Sequence, residues 1–194
     1  MRKLPPGHCL KFGSSGLEIG RWYDLATKRA PTIADADAAR QGLRERLDAA
    51  VKARLVSDVP VGVFLSSGID SALVAASVAA QGARLKTFTV GFNGAGAYYE
   101  ERPAAAVVAR HLGAEHTEIG VDESRIGEVL DRVFVALDEP FADASAVPTF
   151  LVSEATRRKV TVVLTGDGAD EVFGGYRRYW SELHAARWNR VPAP

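Results

Sequence analysis

The chain has 194 residues, 47% hydrophobic and 25% charged, with 24 Lys and Arg against 24 Asp and Glu and no net charge. This is globular composition, and the length is enough to bury a core without disulfides or metals. The balanced charge argues against a polyanion-binding surface, so no nucleic-acid partner is expected. The single cysteine, Cys9, excludes an internal disulfide and suits a reducing compartment, which points to a cytoplasmic location. The small apolar run from Ala72 to Ala80 is broken by Ser77 and is too short to span a bilayer, so no membrane partner is expected. The opening MRKLPPGHCLKF is basic but has no apolar stretch of the secretory kind.

Residues 1–31 hold paired prolines, a glycine-serine patch and Trp22–Tyr23, and read as short strands and turns. Residues 32–56 predict a helix opened by Asp35 and Asp37, with Leu43, Leu47, Val51 and Leu55 forming one apolar stripe. Strands are then expected at 59–65, 85–91, 115–119 and 160–165. Helices are expected at 71–80, 100–112 (ended by Gly113), 122–137 and 147–158. The 122–137 helix carries Ile126, Val129, Leu130 and Val133 on one side. This alternation predicts an α/β fold, a parallel sheet with helices on both faces, and the strands lack in/out alternation as doubly covered strands do.

The segment Leu65-Ser66-Ser67-Gly68-Ile69-Asp70-Ser71 falls between a buried strand and a small-residue helix. Ligands of open α/β sheets gather outside the carboxyl ends of strands. A turn of small residues lets backbone N–H groups approach an anion, and the next helix adds its positive end. Asp70 suits that chemistry if Mg2+ bridges carboxylate and phosphates. A plain strand-to-helix turn capped by Ser and Asp would have the same local pattern. The segment is neither a Walker A loop nor a GxGxxG fingerprint. It resembles the SGGxDS pyrophosphate loop of the N-type ATP pyrophosphatases, with Ser67 in place of the first glycine.

A second cluster, TGDGADEVFGGY at 165–176, follows the apolar strand and sets Asp167, Asp170 and Glu171 among four glycines. Clustered acids at a strand end imply a cation or compensating donors, although a solvated acidic turn carries the same residues. The stretch resembles SGEGSDEVFGGY of the asparagine synthetases and, more closely, the GDGGDE variant of their relatives. SDVPVGVFLSSGIDS, LKTFTVGF, ERPAAAVVARHLG and DEPFADASAVPT fit the same family in the same order, so the resemblance covers roughly residues 50–180.

The resemblance implies three parts: the end of a glutaminase-type domain at 1–31, an ATP-pyrophosphatase domain at 32–180, and the start of a helical region at 181–194. It implies ATP bound by Leu65, Val90 (on the adenine side), Thr165 and Gly166. Pyrophosphate would be held by Ser66, Ser67, Gly68, Asp70 and Ser71, and Mg2+ by Asp70 and Asp170. The implied reaction activates a carboxylate, aspartate or a similar acid, as its adenylate and converts it to the amide with ammonia from glutamine. Asp167 stands where dedicated asparagine synthetases have a Glu linked to adenylation, which leaves the acceptor open. Asp138, Glu139 and Asp143 either line the acceptor pocket or the ammonia path, or serve helix-end and turn chemistry around Pro140.

Glutamine-dependent members of the family use an N-terminal cysteine, but residue 2 here is Arg2, and Cys9 reads as a small buried side chain. The lysine that the family's later helical region brings to the phosphates has no counterpart we could assign. The chain therefore reads as part of a larger amidotransferase, completed by a glutaminase domain or chain and weak or inactive alone. Two rivals remain at this point: a ligase for another carboxylate, and a nucleotide-binding module without catalysis. A His111–His116 metal site is the weakest reading of the HLGAEH segment.

Overall fold

The computed structural model describes residues 3–24, 33, 35–94, 100–137, 142–143 and 145–188. The chain divides into two compact units, residues 1–43 and 44–194. The first holds the hairpin β1 (His8–Gly13) and β2 (Gly16–Arg21), in register from His8 opposite Arg21 to Gly13 opposite Gly16. Leu10, Phe12, Leu17 and Ile19 share one face of this ribbon, and all four are exposed. Cys9, expected to be buried, is exposed on the other face beside Gly20. Cys9 is not buried because nearly every residue of this two-stranded sheet is exposed.

Helix α1 (Ala36–Leu55) runs from the first unit into the second. It starts four residues later than expected, where the Asp35 side chain accepts from the Asp37 N–H at 2.9 Å. Of the expected stripe, Leu47, Val51 and Leu55 join the core, whereas Leu43 is 44% exposed. The stripe is used only from Leu47 on, where the helix meets apolar neighbours.

The second unit alternates strand and helix: β3 (Val61–Phe64), α2 (Ile69–Ala80), β4 (Lys86–Phe92), α3 (Arg102–His111), β5 (Glu115–Val121), α4 (Glu123–Leu137), α5 (Ala146–Thr156), β6 (Val162–Leu164), α6 (Ala169–Phe173) and α7 (Arg177–Trp188). The sheet is parallel, in the order β5-β4-β3-β6. The chain winds outward from β3 through β4 to β5, then returns to place β6 on the other side of β3. The order therefore reverses between β3 and β6.

Both faces are covered. Val63 pairs with Thr87, while Val90 and Phe92 of β4 point to the opposite face. On Val63's side, Val51, Leu65, Ala75, Val78, Ala105 and Ala109 join α1, α2 and α3 to the sheet. On Val90's side, Val121, Val129, Val133 and Leu151 join α4 and α5 to it. The small residues of α2 and α3 let these helices lie close to the strands. Gly62 leaves room for the Phe88 ring, which an added Cβ would meet at 2.7 Å. The central strands are buried or half-buried throughout, but Val162 of the edge strand β6 is 40% exposed. The continuous apolar pattern of 160–165 thus overstated its coverage.

Candidate functional site

Two loops leave the sheet on either side of the reversal point. The first follows β3. Leu65 continues the strand by donating its N–H to Phe88 O at 2.9 Å, and its carbonyl accepts from Thr89 Oγ1 at 2.5 Å. The Ser71 hydroxyl then folds the loop on itself. It accepts from the Ser66 N–H at 3.1 Å and donates to Gly68 O at 3.2 Å. Ser66 Oγ, 2.9 Å from Ser71 Oγ, accepts from the Gly68 N–H at 3.1 Å. With Ser71 donating to Gly68, Ser66 is the donor between the two hydroxyls. The serines therefore shape the loop before they meet any ligand. Helix α2 begins at Gly68 with no side-chain cap, which leaves its first N–H groups without intrahelical partners at its positive end.

The second loop follows β6. Gly168 (φ +91°) and Gly174 (φ +70°) take the left-handed backbone that stops the short α6 at both ends. Asp170 opens that helix, and its carboxylate lies directly against the Gly175 backbone. Glu171 accepts a hydrogen bond from the Tyr176 hydroxyl at 2.8 Å, and this bond raises the Tyr176 pKa. The Arg178 guanidinium sits 4.5 Å from the centre of the Tyr176 ring.

The loops touch through backbone. A Cβ on Gly166 would lie 2.8 Å from Ser71 N and 3.0 Å from the Asp70 carbonyl carbon and Cβ. Only glycine permits this approach. Around the contact opens a cavity of about 680 Å3. It is lined by Leu65, Ser66, Gly68, Asp70, Ser71, Val90, Thr165, Gly166, Asp167 and Asp170, so ten of the sequence-derived residues come together. Ser67 is exposed and is not among the lining residues.

Other lining residues come from outside the two motif loops, most of them in the further stretches that carry the family resemblance. Phe88 and Thr89 come from β4, Glu101 from the start of α3, and Ser145, Pro148, Thr149 and Val152 from the start of α5. Asp143 also lines the cavity. Its carboxylate accepts from the Ser145 N–H at 2.9 Å, which holds its pKa below the usual carboxylate value. Asp138 and Glu139 lie outside the described residues. The PT pair after DASAV was the available signal for α5, because it opens a helix beside the acids.

The lining carries six carboxylates, from Asp70, Glu101, Asp143, Asp167, Asp170 and Glu171, and no Lys, Arg or His among the described residues. No group of three or more Asp, Glu, His or Cys is set to hold a metal among the described residues. Mg2+ does not require one, since it takes one or two carboxylates together with phosphate oxygens. Asp70 and Asp170, each in the first turn of a helix on one of the abutting loops, fit that donor set. His116 is not part of such a site. Its Nδ1 lies 2.8 Å from Thr87 Oγ1, its Nε2 is buried without a hydrogen-bond partner, and burial lowers its pKa.

Fold and site together define a doubly wound α/β protein whose cleft opens at the switch point of its sheet. The chain belongs to the asparagine synthase family, whose sequence model matches residues 42–193. It is 39% identical over 176 residues to a Methanocaldococcus jannaschii protein provisionally named asparagine synthetase [glutamine-hydrolyzing] 2, covering 90% of this chain and 34% of that one. It is 32% identical over 193 residues to asparagine synthetase [glutamine-hydrolyzing] 1 of Bacillus subtilis, covering 100% and 30%. The chain thus spans about a third of the length of these relatives. Among solved structures, the NH3-dependent NAD synthetase of Campylobacter jejuni matches with a TM-score of 0.48 and 21% identity, over 70% of this chain and 60% of that one.

Proposed function

We propose that the second unit is the ATP site of a ligase that adenylates a carboxylate, releases pyrophosphate, and gives an amide with ammonia. Aspartate, or an acid like it, is the acceptor, and a glutaminase domain or chain supplies the ammonia from glutamine. The observation that carries this reading is the backbone contact of Gly166 with Asp70 and Ser71, which joins two motif loops across the switch point. The family and the names of its members support the reaction class. The segment 1–31 is read as the end of the glutaminase domain, and the residues from 181 as the start of a helical region.

ATP is a substrate here. The loop at 66–71 receives its departing pyrophosphate with backbone N–H groups and the positive end of α2. Ser66 and Ser71 hold the loop in that shape, so the donors do not reorganise as charge develops. Backbone groups of Leu65, Val90, Thr165 and Gly166 contact the nucleotide, with Val90 on the adenine side. Asp167, at the mouth of the second loop, faces the carboxylate to be activated. Mg2+, held by Asp70 and Asp170, would neutralise phosphate charge. No described helix is long and apolar enough to cross a membrane. A cytoplasmic location is proposed from the single free cysteine.

The test is calorimetric titration of the chain with ATP, with and without Mg2+, beside Asp70→Ala, followed by product analysis with candidate acids. Mg2+-dependent binding that is lost in the variant supports the nucleotide site. A folded chain that binds no ATP refutes it, and binding without amide formation for any acid favours a non-catalytic module.

A further inference from the structure

We propose that Arg102 is a positioning residue for the base-binding end of the nucleotide cavity, tying the end of β4 to the start of α3 by filling a slot that Gly91 and Gly120 leave open. The inference rests on the nucleotide reading above and deepens it, from the phosphate end to the base end of the same cavity.

Arg102 is the first residue of α3, and its side chain is 21% exposed. Its Nε donates to Glu100 Oε1 at 2.8 Å, its Nη2 donates to Glu100 Oε2, and its Nη1 donates to Asn93 Oδ1 at 3.1 Å. Glu100 Oε1 also accepts the Arg102 backbone N–H at 3.1 Å. Asn93 is held in turn: its backbone N–H donates to Val121 O and its side-chain nitrogen to Asp122 Oδ1, both at 2.9 Å. Asn93 directly follows β4 and Asp122 directly follows β5. One guanidinium therefore ties the carboxyl ends of two strands to the start of a helix.

The slot is built into the sheet. Gly91 and Gly120 are partners in the β4–β5 ladder, so their missing side chains would point to the same face. A Cβ on Gly91 would overlap Arg102 Nε and lie 2.6 Å from its Cδ, and one on Gly120 would lie 3.2 Å from Nη1. The glycine pair seats the arginine.

The link to the cavity is sequential on both sides. Val90, immediately before Gly91, lines it, and so does Glu101, immediately before Arg102. Arg102 itself is not a lining residue, so its effect passes through these two neighbours. A planar fork that grips both Glu100 oxygens and reaches Asn93 cannot be copied by a lysine. The Arg102 hydrogen bond holds the Glu100 carboxyl below its usual pKa, consistent with an intact ion pair at neutral pH.

The experiment titrates the whole chain and its Arg102→Met, Arg102→Lys and Gly91→Ala variants with ATP and, separately, with inorganic pyrophosphate, both in Mg2+. If Arg102→Met leaves about a tenth of molecules with a competent base wall, its Kd for ATP rises about tenfold, while pyrophosphate binds as in wild type. Arg102→Lys does not restore ATP binding. Gly91→Ala, which evicts the arginine without removing a polar group, reproduces the ATP defect. Should Arg102→Met melt below the assay temperature, Glu100→Gln makes the same comparison. Variants that bind ATP as wild type does, or that lose ATP and pyrophosphate equally, overturn the proposal and leave the nucleotide site standing. A wild-type chain that binds neither ligand overturns the nucleotide reading and this proposal with it.

Discussion

Gly166→Ala tests whether the two loops act as one site. The added Cβ would sit 2.8 Å from Ser71 N, and ordinary contact begins at 3.4 Å, so the loops must part by about 0.6 Å. The atoms in the way are backbone at the first turn of α2, and Ser71 is already fixed to Ser66 and Gly68. No side chain can swing aside to relieve the clash. Overpacking of this kind costs about 1–3 kcal/mol. In a chain of this size that lowers the melting temperature by roughly 2–4 °C for each kcal/mol. Binding should suffer as well, because parted loops no longer present the first N–H groups of α2 where the phosphates meet them. We expect Kd for ATP in Mg2+ to rise at least about tenfold by calorimetry. Gly127→Ala in α4 is the matched control, since its Cβ meets nothing within 4 Å. It should bind ATP normally and gain about 0.5–1 kcal/mol of stability. Gly166→Ala with wild-type melting and wild-type affinity would refute the claim that the loops form one site through backbone.

Three further outcomes are expected. Gly175→Ala displaces the Asp170 carboxylate that lies on Gly175, so ATP affinity in Mg2+ should fall toward its value without Mg2+ in the same titration. Gly62→Ala pushes a Cβ against the buried Phe88 ring, and denaturant unfolding should read a loss of about 1–3 kcal/mol. Burial lowers the His116 pKa in the folded chain, with the Glu118 charge opposing, so the unfolded state takes up the proton more readily. Stability from the neutral ring is present above the unfolded value, about 6.5, and is lost as pH falls through it. The urea midpoint should therefore drop between pH 7.5 and 5.5, and His116→Gln should flatten that slope.

The order of the sheet elements was legible because the central strands are short apolar runs and helices such as α4 repeat their apolar residues every three or four positions. From β3 to β6 the second unit follows those signals to within a few residues at most boundaries, whereas α6 was not expected and α7 starts at Arg177, ahead of the helical region expected from 181. Errors arose where periodicity says nothing about coverage. Leu43 continues the α1 stripe in sequence but is exposed, and Cys9 lies on an uncovered ribbon. The two motif loops were also legible, since glycine, serine and aspartate between strand and helix mark a tight turn at a strand's carboxyl end. Sequence could not provide strand order. Only the observed β4-β3-β6 arrangement brings Gly166 against Ser71. Thr149 and Val152 reach the cavity from α5 through packing alone. The Arg102 clamp was hidden for a similar reason: Gly91 and Gly120 look like breaks in their strands until the ladder makes them partners.

The charge of the cavity constrains how the proposed site can work. Six carboxylates line it, with no described cationic side chain among them. The backbone N–H groups at the start of α2 attract an anion, but a helix end carries only about half a charge. A free triphosphate would meet several unit charges of its own sign at short range, and in a half-buried cleft those are screened less than on an open surface. Affinity for ATP should therefore depend on a divalent cation more steeply than in a site lined by lysines. On the proposed reading, Asp70 and Asp170 on the abutting loops would share that ion with phosphate. Asp167, Glu171, Asp143 and Glu101 are then left to repel any second polyanion. They would favour an acceptor that carries a positive group of its own beside the carboxylate to be activated. On this reasoning aspartate, with its ammonium group, suits the cavity better than a plain dicarboxylate of the same length. Amide formation from aspartate but not from succinate would bear the argument out, and equal use of both acids would refute it.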